Sequence, residues 1–571
     1  LANNAYMRGG TGYYRYRSVD DFVNGAAPES VCLTYGYNGE SKPAARINSN
    51  NFGLYAQDEW QALTNLKLTY GIRFDLLAYD NGDLMTNNAI KALDYDGRHI
   101  DTGKWPDANL RISPRVGFTW DVFGDQKLRV RGGTGLFAGR LPLVFFTNMP
   151  TNGGMVQYQA QLNEKNTDMS QFAGGLVTDA NGKATVAALR DKLIGMGYPE
   201  AITPEKGTVP SSICGVDRSF KMPQVWKTSF AIDYNLPTSF PMSVTAEYIY
   251  NKTVNAAILK DWAVPSMAGF PRLNGADNRA LFPAGFQTMK SAYVLENTSK
   301  GYGWSASLTL NARPIETLSL MASYTHSMAK EMTSLPGSNA SSVLNYVTTV
   351  EGPNNMHLHN AENITPDRFI LSATHHDKHG NHVSIIYEAY RGGYNYSYAM
   401  VNDMNGDGYN YDALYIPTDE QVKNGEFRFK TQDDADRFMA FVHKDDYLSS
   451  HQGEYAESYS VYNPWVHRVD LGYKHDFSLK LGKTKHTLQL SCDIKNVLNM
   501  FNSSWGVAKI MNTDFQSNGI GRILKYEGVD AQGYGVYSTP ASINRDTKTW
   551  IKNHAIGQCW YASVGIKYIF N

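Results

Sequence analysis

Thirteen stretches of this chain alternate apolar and polar side chains with a period of two. In the last of them Trp560, Ala562, Val564, Ile566, Tyr568 and Phe570 share one face, and Tyr561, Ser563, Gly565 and Lys567 share the other. Leu66, Leu68, Tyr70, Ile72 and Phe74 likewise oppose Lys67, Thr69, Gly71, Arg73 and Asp75. Successive side chains of a strand point to opposite faces, so each stretch has one greasy and one polar side. A soluble antiparallel sheet can carry this pattern too. The length and number of the stretches, and the aromatics that bracket their apolar faces, favour a membrane wall instead. The expected fold class is all-β, a transmembrane antiparallel β-barrel with long loops.

Composition narrows the choice. No run of about 18 apolar residues occurs, which excludes a helical membrane protein. A mean hydropathy of -0.40 suits a barrel, because half of each strand and all of its loops are polar. The 37 tyrosines and 50 glycines fit aromatic girdles and tight turns. A net charge of -1 gives no reason to expect nucleic acid as a partner. The opening Leu1-Ala-Asn-Asn has no basic, apolar leader, so no signal peptide is expected within these residues.

The pattern places strands at 52–60, 66–78, 114–123, 128–138, 223–234, 241–254, 301–313, 317–330, 366–376, 382–396, 464–478, 485–498 and 558–570. The gaps between them alternate short and long. Barrels of outer membranes have short periplasmic turns and long extracellular loops. Segments 79–113, 139–222, 255–300, 331–365, 397–463 and 499–557 are therefore expected outside, with a short helix near Thr185 to Leu193 and small hairpins. Residues 1–51 are expected as an extracellular loop before the first strand, and 52–571 as the wall. An odd count cannot close in an up-and-down pattern, and an open edge in hydrocarbon strands backbone groups without partners. The chain is thus expected to be the C-terminal part of a larger barrel.

Several residues invite a chemical reading. Asp403-x-Asn405-x-Asp407-Gly408, continuing to Asp412, alternates oxygen side chains around a glycine turn, as a Ca²⁺ loop does. Leu414 stands where the usual closing Glu would be, so Asp412 and the Tyr409 carbonyl would complete a structural Ca²⁺ site; an Asx/Gly turn needing no ion reads equally from these residues. Cys32 and Cys214 both fall in long loops, where an oxidising compartment allows a disulfide between them. Phe145, Phe146, Met149, Met155, Tyr158, Tyr409, Tyr411 and Tyr415 are candidate ligand-facing positions, since aromatic and flexible apolar side chains in loops supply contact area. Loop packing explains them equally well. Charges of both signs, among them Arg73, Asp75, Arg115, Arg131, Lys227, Asp233 and Lys495, fall on the polar, lumen-facing phase. No nucleophile–base pair, phosphate loop or paired-carboxylate motif stands out, so an enzyme is not expected.

Phe52-Gly-Leu-Tyr-Ala-Gln-Asp-Glu-Trp60 with Asn65-Leu-Lys-Leu-Thr-Tyr-Gly-Ile-Arg-Phe-Asp75 resembles paired mid-barrel strands of TonB-dependent outer-membrane transporters. Ser113-Pro-Arg-Val-Gly-Phe-Thr-Trp120, Arg131-Gly-Gly-Thr-Gly-Leu-Phe137, Asn496-Val-Leu-Asn499 and Gly565-Ile-Lys-Tyr-Ile-Phe570 extend the resemblance in order. Phe220-Lys-Met-Pro-Gln-Val-Trp226 and Asp403-Met-Asn-Gly-Asp-Gly408 resemble the Oar-like branch of Bacteroidetes, which carries a carboxypeptidase-regulatory-like domain. The resemblance implies a 22-stranded barrel closed by an N-terminal plug, of which these would be the last thirteen strands. It further implies uptake of a loop-captured ligand, with the plug and early barrel of the same protein, the TonB complex, outer-membrane lipid and a surface lipoprotein or other protein as partners. A surface adhesin, a structural barrel and a protein-export conduit remain the competing functions.

Overall fold

The computed structural model describes residues 2–3, 10–40, 43–283, 285–286, 291–333, 335, 337, 339–344, 346–392 and 395–570. Its main sheet is a meander of thirteen strands: β1 (Asn48–Leu63), β2 (Leu66–Asp80), β3 (Asn109–Asp121), β4 (Leu128–Ala138), β5 (Gln224–Asn235), β6 (Met242–Asp261), β7 (Tyr302–Ile315), β8 (Leu318–Glu331), β9 (Asp367–His376), β10 (Asn381–Arg391), β11 (Val466–Leu481), β12 (Thr484–Lys495) and β13 (Tyr561–Phe570). Each bonds antiparallel to its neighbours in sequence. Every expected stretch is present, though several run on. β3 starts at Asn109 rather than 114, and β6 reaches Asp261 rather than 254. The extra length continues past the wall; Ala256–Asp261 of β6 leaves β7 and pairs with the loop strand Ser291–Thr298. β1 likewise begins at Asn48, inside the segment expected to be loop.

Register keeps the two faces apart. Leu308 of β7 aligns with Ala246 on one side and Tyr324 on the other, and Leu310 aligns with Val244 and Ala322. The apolar face is bare: Leu308 is 54% exposed, Ile566 73% and Val564 80%. A continuous apolar surface of this extent, alternating with a polar face along every strand, fits a wall that meets lipid. Trp226 and Trp304 lie toward its long-loop end, and Trp60, Trp120 and Tyr234 toward its short-turn end. Among the described residues β1 and β13 are not paired with each other, so the wall is an open sheet rather than a closed barrel.

The long loops fold beyond what their sequence suggested. Instead of separate hairpins they form a cap with hydrophobic cores of its own. Ser397–Met400, Ile520–Val529, Gly535–Ser538, Arg428–Phe429 and Gln516–Ser517 make one five-stranded sheet from two loops. Tyr13–Arg15, Ser30–Gly36 and Gln157–Asn163 make another. Three helices pack on this layer: α1 (Val144–Thr151), α2 (Val186–Gly195) and α3 (Gln432–Lys444). α2 is the expected helix; the Thr185 hydroxyl accepts from Ala188 N–H at 3.1 Å, and Leu189 and Leu193 are buried. α3 was not expected, although its signals are in the sequence. Thr431 caps it, Asp433 and Asp434 lie in its first turn, and Ala435, Phe438, Met439 and Val442 recur at helical spacing on its buried face.

Candidate capture cap and cation loop

Three loops meet at one buried ionic knot. Arg279 of the β6–β7 loop donates to both carboxylate oxygens of Asp277, at 2.9 and 3.1 Å. It also reaches Asp412 at 3.4 Å and the Ala413 carbonyl at 2.8 Å, both in the β10–β11 loop. Asp277 accepts two further hydrogen bonds, from Tyr455 Oη at 2.9 Å and Tyr537 Oη at 2.8 Å. Tyr537 brings in the β12–β13 loop, and its ring stacks on Phe427 with centroids 4.2 Å apart. The partners come from positions 277, 279, 412, 455 and 537, so no local pattern could have announced them. Burying charge is costly unless it is paired and hydrogen-bonded, and here every charge is.

The segment Asp403–Asp412 is clamped against this knot. Both Asp403 oxygens accept backbone bonds, from Gly406 N–H at 2.7 Å and Gly408 N–H at 2.9 Å. Gly406 and Gly408 have φ of 80° and 89°, a conformation that favours glycine. Asn405 Oδ1 accepts from Asp407 N–H at 2.9 Å, Asp407 accepts from Tyr409 N–H at 2.7 Å, and Asp412 accepts from Met404 N–H at 2.7 Å. The loop is thus drawn as a chain of Asx turns whose carboxylates face inward. Burial pushes the Asp407 carboxyl up, and the negative charges of Asp412 and Asp403 add to the shift. Burial also raises Asp412, against the opposing pull of Arg279. A divalent cation would relieve this repulsion. Among the described residues, however, no three carboxylate, imidazole or thiol groups converge closely enough to hold a metal by themselves. The amide of Asn405 and backbone carbonyls would have to complete any such site.

The candidate contact residues separate into packing positions and surface ones. Phe145, Phe146 and Met149 lie on α1 inside a core with Trp105 and Phe220; Phe146 is fully buried, its ring 5.4 Å from that of Phe220. Met155 is buried beside Tyr37 and Ile202. Tyr409 is buried and donates to Asp261 at 2.7 Å. Tyr415 is buried between Phe427 and Tyr455. Tyr158 and Tyr411 are only half-buried: Tyr158 borders Tyr35, Tyr37 and Tyr198, and Tyr411 lies under the Arg522 guanidinium at 4.9 Å. The structure does not gather the eight residues into one site.

The expected disulfide is not formed. Cys32 belongs to the strand Ser30–Gly36, whose neighbours build one core, and Cys214 to the strand Ser212–Val216, which serves another. Each cysteine is fixed by its own sheet, and the two sulfurs are not bonded to one another. Burial pushes the Cys214 thiol up to about 12.

On the wall, several of the expected lumen-facing charges are paired. Arg73 grips Asp75 at 2.8 Å, Arg131 bonds Asp233 at 3.1 Å and Glu247 at 3.3 Å, and Lys495 bonds Asp470 at 2.8 Å.

Comparison with known proteins places this architecture. Residues 2–529 match the family model described as outer membrane beta barrel domain. No match was found among curated proteins. Among solved structures, the outer membrane transporter YddB from Escherichia coli is similar at 10% identity and a TM-score of 0.41, covering 94% of this chain and 50% of that one. The siderophore receptor PiuA from Acinetobacter baumannii is similar at 8% identity and a TM-score of 0.36, covering 95% and 44%. A mutant of the ferric enterobactin receptor PfeA from Pseudomonas aeruginosa gives 10% and 0.39, covering 91% and 45%. The chain spans about half the length of these solved structures. With the match over nearly its whole length, this chain belongs to the outer membrane beta barrel domain family, and its place is the bacterial outer membrane.

Proposed function

We propose that this chain is the C-terminal wall and extracellular cap of a TonB-dependent transporter of the Oar-like, Bacteroidetes type. Its thirteen strands would be the last of a 22-stranded barrel, with the earlier strands and a lumen plug supplied by the preceding part of the same protein. The observation that carries the reading is the division of labour along the sheet. One face is bare and apolar, the other is charged, and one end bears a folded cap joined by buried ions. Ligand would be held by the exposed parts of the cap, with the half-buried Tyr158 and Tyr411 as the first contacts to test. The plug would then be remodelled by TonB, which draws on the inner-membrane proton gradient. A Ca²⁺ held by Asp403, Asn405, Asp407, Asp412 and the Tyr409 carbonyl would stiffen the cap beside the knot.

The test compares cells lacking this protein with cells lacking TonB function, across a panel of labelled peptides, glycans and iron complexes. Loss of accumulation of the same compound in both strains supports uptake. Undiminished accumulation of every compound in the first strain overturns it. The cap's dense, ion-locked core favours one second reading, a surface adhesin that holds its partner without passing anything through. Surface binding that depends on this protein but not on TonB would identify it.

A further inference from the structure

On the polar face of the wall, register aligns five residues in one transverse row: Gly71 of β2, Arg115 of β3, Gly135 of β4, Lys227 of β5 and Asn251 of β6. Arg115 is thus flanked by two glycines. The next row toward the short turns repeats the theme with Gly117 and Gly133 side by side. Glycine leaves bare backbone where a side chain would stand, and a cavity of about 480 Å³ opens there. Arg115 and Lys227 stand on either side of Gly135, separated at Cα by two inter-strand spacings, about 10 Å. Phe137, two residues further along β4, closes one end. Its ring centroid lies 5.7 Å from the Arg115 guanidinium carbon and 5.8 Å from Lys227 Nζ.

Two features mark this slot. Arg73 and Arg131 on the same face are neutralised, Arg73 by Asp75 and Arg131 by Asp233 and Glu247. Arg115 and Lys227 have no carboxylate partner among the described residues; their recorded contact is the face of Phe137. Next to Lys227, the side-chain oxygen of Asn251 is buried and has no hydrogen-bond partner. Such an atom carries a desolvation cost until a donor reaches it.

We propose that this slot binds the carboxylate end of a peptide-like solute inside the lumen. Arg115 and Lys227 hold the carboxylate from two sides, Arg115 through its planar fork. The amide N–H next to that carboxylate donates to Asn251 Oδ1. The glycine floor lets an extended backbone lie close to the strands, and Phe137 covers the terminal side chain. The pairing of an anion with an adjacent donor is what selects this chemistry. An inorganic sulfate would satisfy the cations and leave the Asn251 oxygen unpaired. The inference requires only that the polar face lines the lumen, so it stands apart from the question of TonB.

The test is calorimetric titration of the whole protein, extracted from its outer membrane in detergent, with N-acetyl-alanyl-alanine and with the C-terminal amide of the same dipeptide. The acid is expected to bind, and the amide to bind at least about tenfold more weakly. Arg115→Gln and Lys227→Gln should each weaken the acid by about tenfold, and Asn251→Leu should weaken it while leaving binding of plain acetate unchanged. Lys67→Gln, which alters a cation on the same face that already has Glu59 as its partner at 3.3 Å, should bind like the parent. Unheated gel migration establishes that each variant is folded before it is titrated. No binding of the acid, equal binding of acid and amide, or full binding by folded Arg115→Gln and Lys227→Gln variants would overturn the proposal.

Discussion

Asp277 and Arg279 stand two residues apart and grip each other through two hydrogen bonds, with 3% and 0% of their side chains exposed. Removing the cation would leave Asp277 and Asp412 buried without a counter-charge. Arg279→Met is therefore expected to cost the cap about 3–5 kcal/mol. Limited proteolysis should show loops 255–300, 397–463 and 499–557 becoming cleavable together, while the wall keeps its heat-dependent gel shift. Cleavage confined to one loop would mean that the knot does not join them.

The acidic segment Asp403–Asp412 should respond to calcium. With Ca²⁺ at about 100 times its dissociation constant, the cap should gain about 2.7 kcal/mol relative to protein in chelator. Differential scanning calorimetry in the two buffers reads this as a rise in the cap's transition. In an Asp403→Ala, Asp407→Asn double variant the two traces should coincide. If the parent traces also coincide, the segment is an Asx/Gly turn and no more.

His359, in the β8–β9 loop, supplies a pH dependence with a definite sign. Its Nδ1–H donates to the Asn360 carbonyl at 2.8 Å, and the ring is buried. Burial therefore holds the imidazole below its ordinary value. The folded form stays neutral, whereas the unfolded form takes a proton near pH 6.5. Stability from this group is full above that value and is lost as pH falls through the lowered folded value. Hydrogen exchange of 331–365 should accelerate on acidification below pH ~6.5, and a His359→Phe variant should lose that part of the response.

The two faces of β7 predict opposite outcomes at adjacent positions. Leu308 points to the bare apolar side, and Thr309 bonds Ser323 at 2.9 Å on the polar side. Leu308→Arg should destabilise the inserted protein by about 2–4 kcal/mol. Thr309→Arg should be tolerated, and urea titration in liposomes compares the two.

Thiol chemistry tests the cap's cores. Cys559 is exposed, while Cys32 and Cys214 are buried and not bridged. Maleimide at neutral pH should label Cys559 in the native protein, with Cys214 labelled only after denaturation. Reducing agent should leave the protein's gel mobility unchanged.

The wall was legible from sequence because lipid on one side and a polar interior on the other force a period of two on every strand. Hydrophobic matching between Leu308, Ala246 and Tyr324 then fixes register. The α2 helix was legible because Thr185 caps a run with buried residues at helical spacing. The cap was not. Phe146, Met149 and Tyr415 look like ligand contacts in a loop, and only tertiary structure shows that such loops bury them against one another. Arg279, the residue that ties three loops, sits in a stretch with no motif at all. In the wall, Arg115 and Lys227 were readable as lumen charges. That they face each other across a glycine depended on the pairing of three strands.

The hydrogen bond from Tyr537 to Asp277 spans 260 positions, and six wall strands lie between its ends. Contacts this distant in sequence form slowly, since the entropy of closing the long loop is lost before the contact is gained. The knot is therefore expected to close after β7 to β12 have paired. Assembly of the cap is therefore a late event that depends on a complete wall, and a barrel with a mis-registered hairpin in this span would carry unlocked, protease-accessible loops. The ion pair that holds the cap together thereby also serves as a built-in inspection step for the strands beneath it.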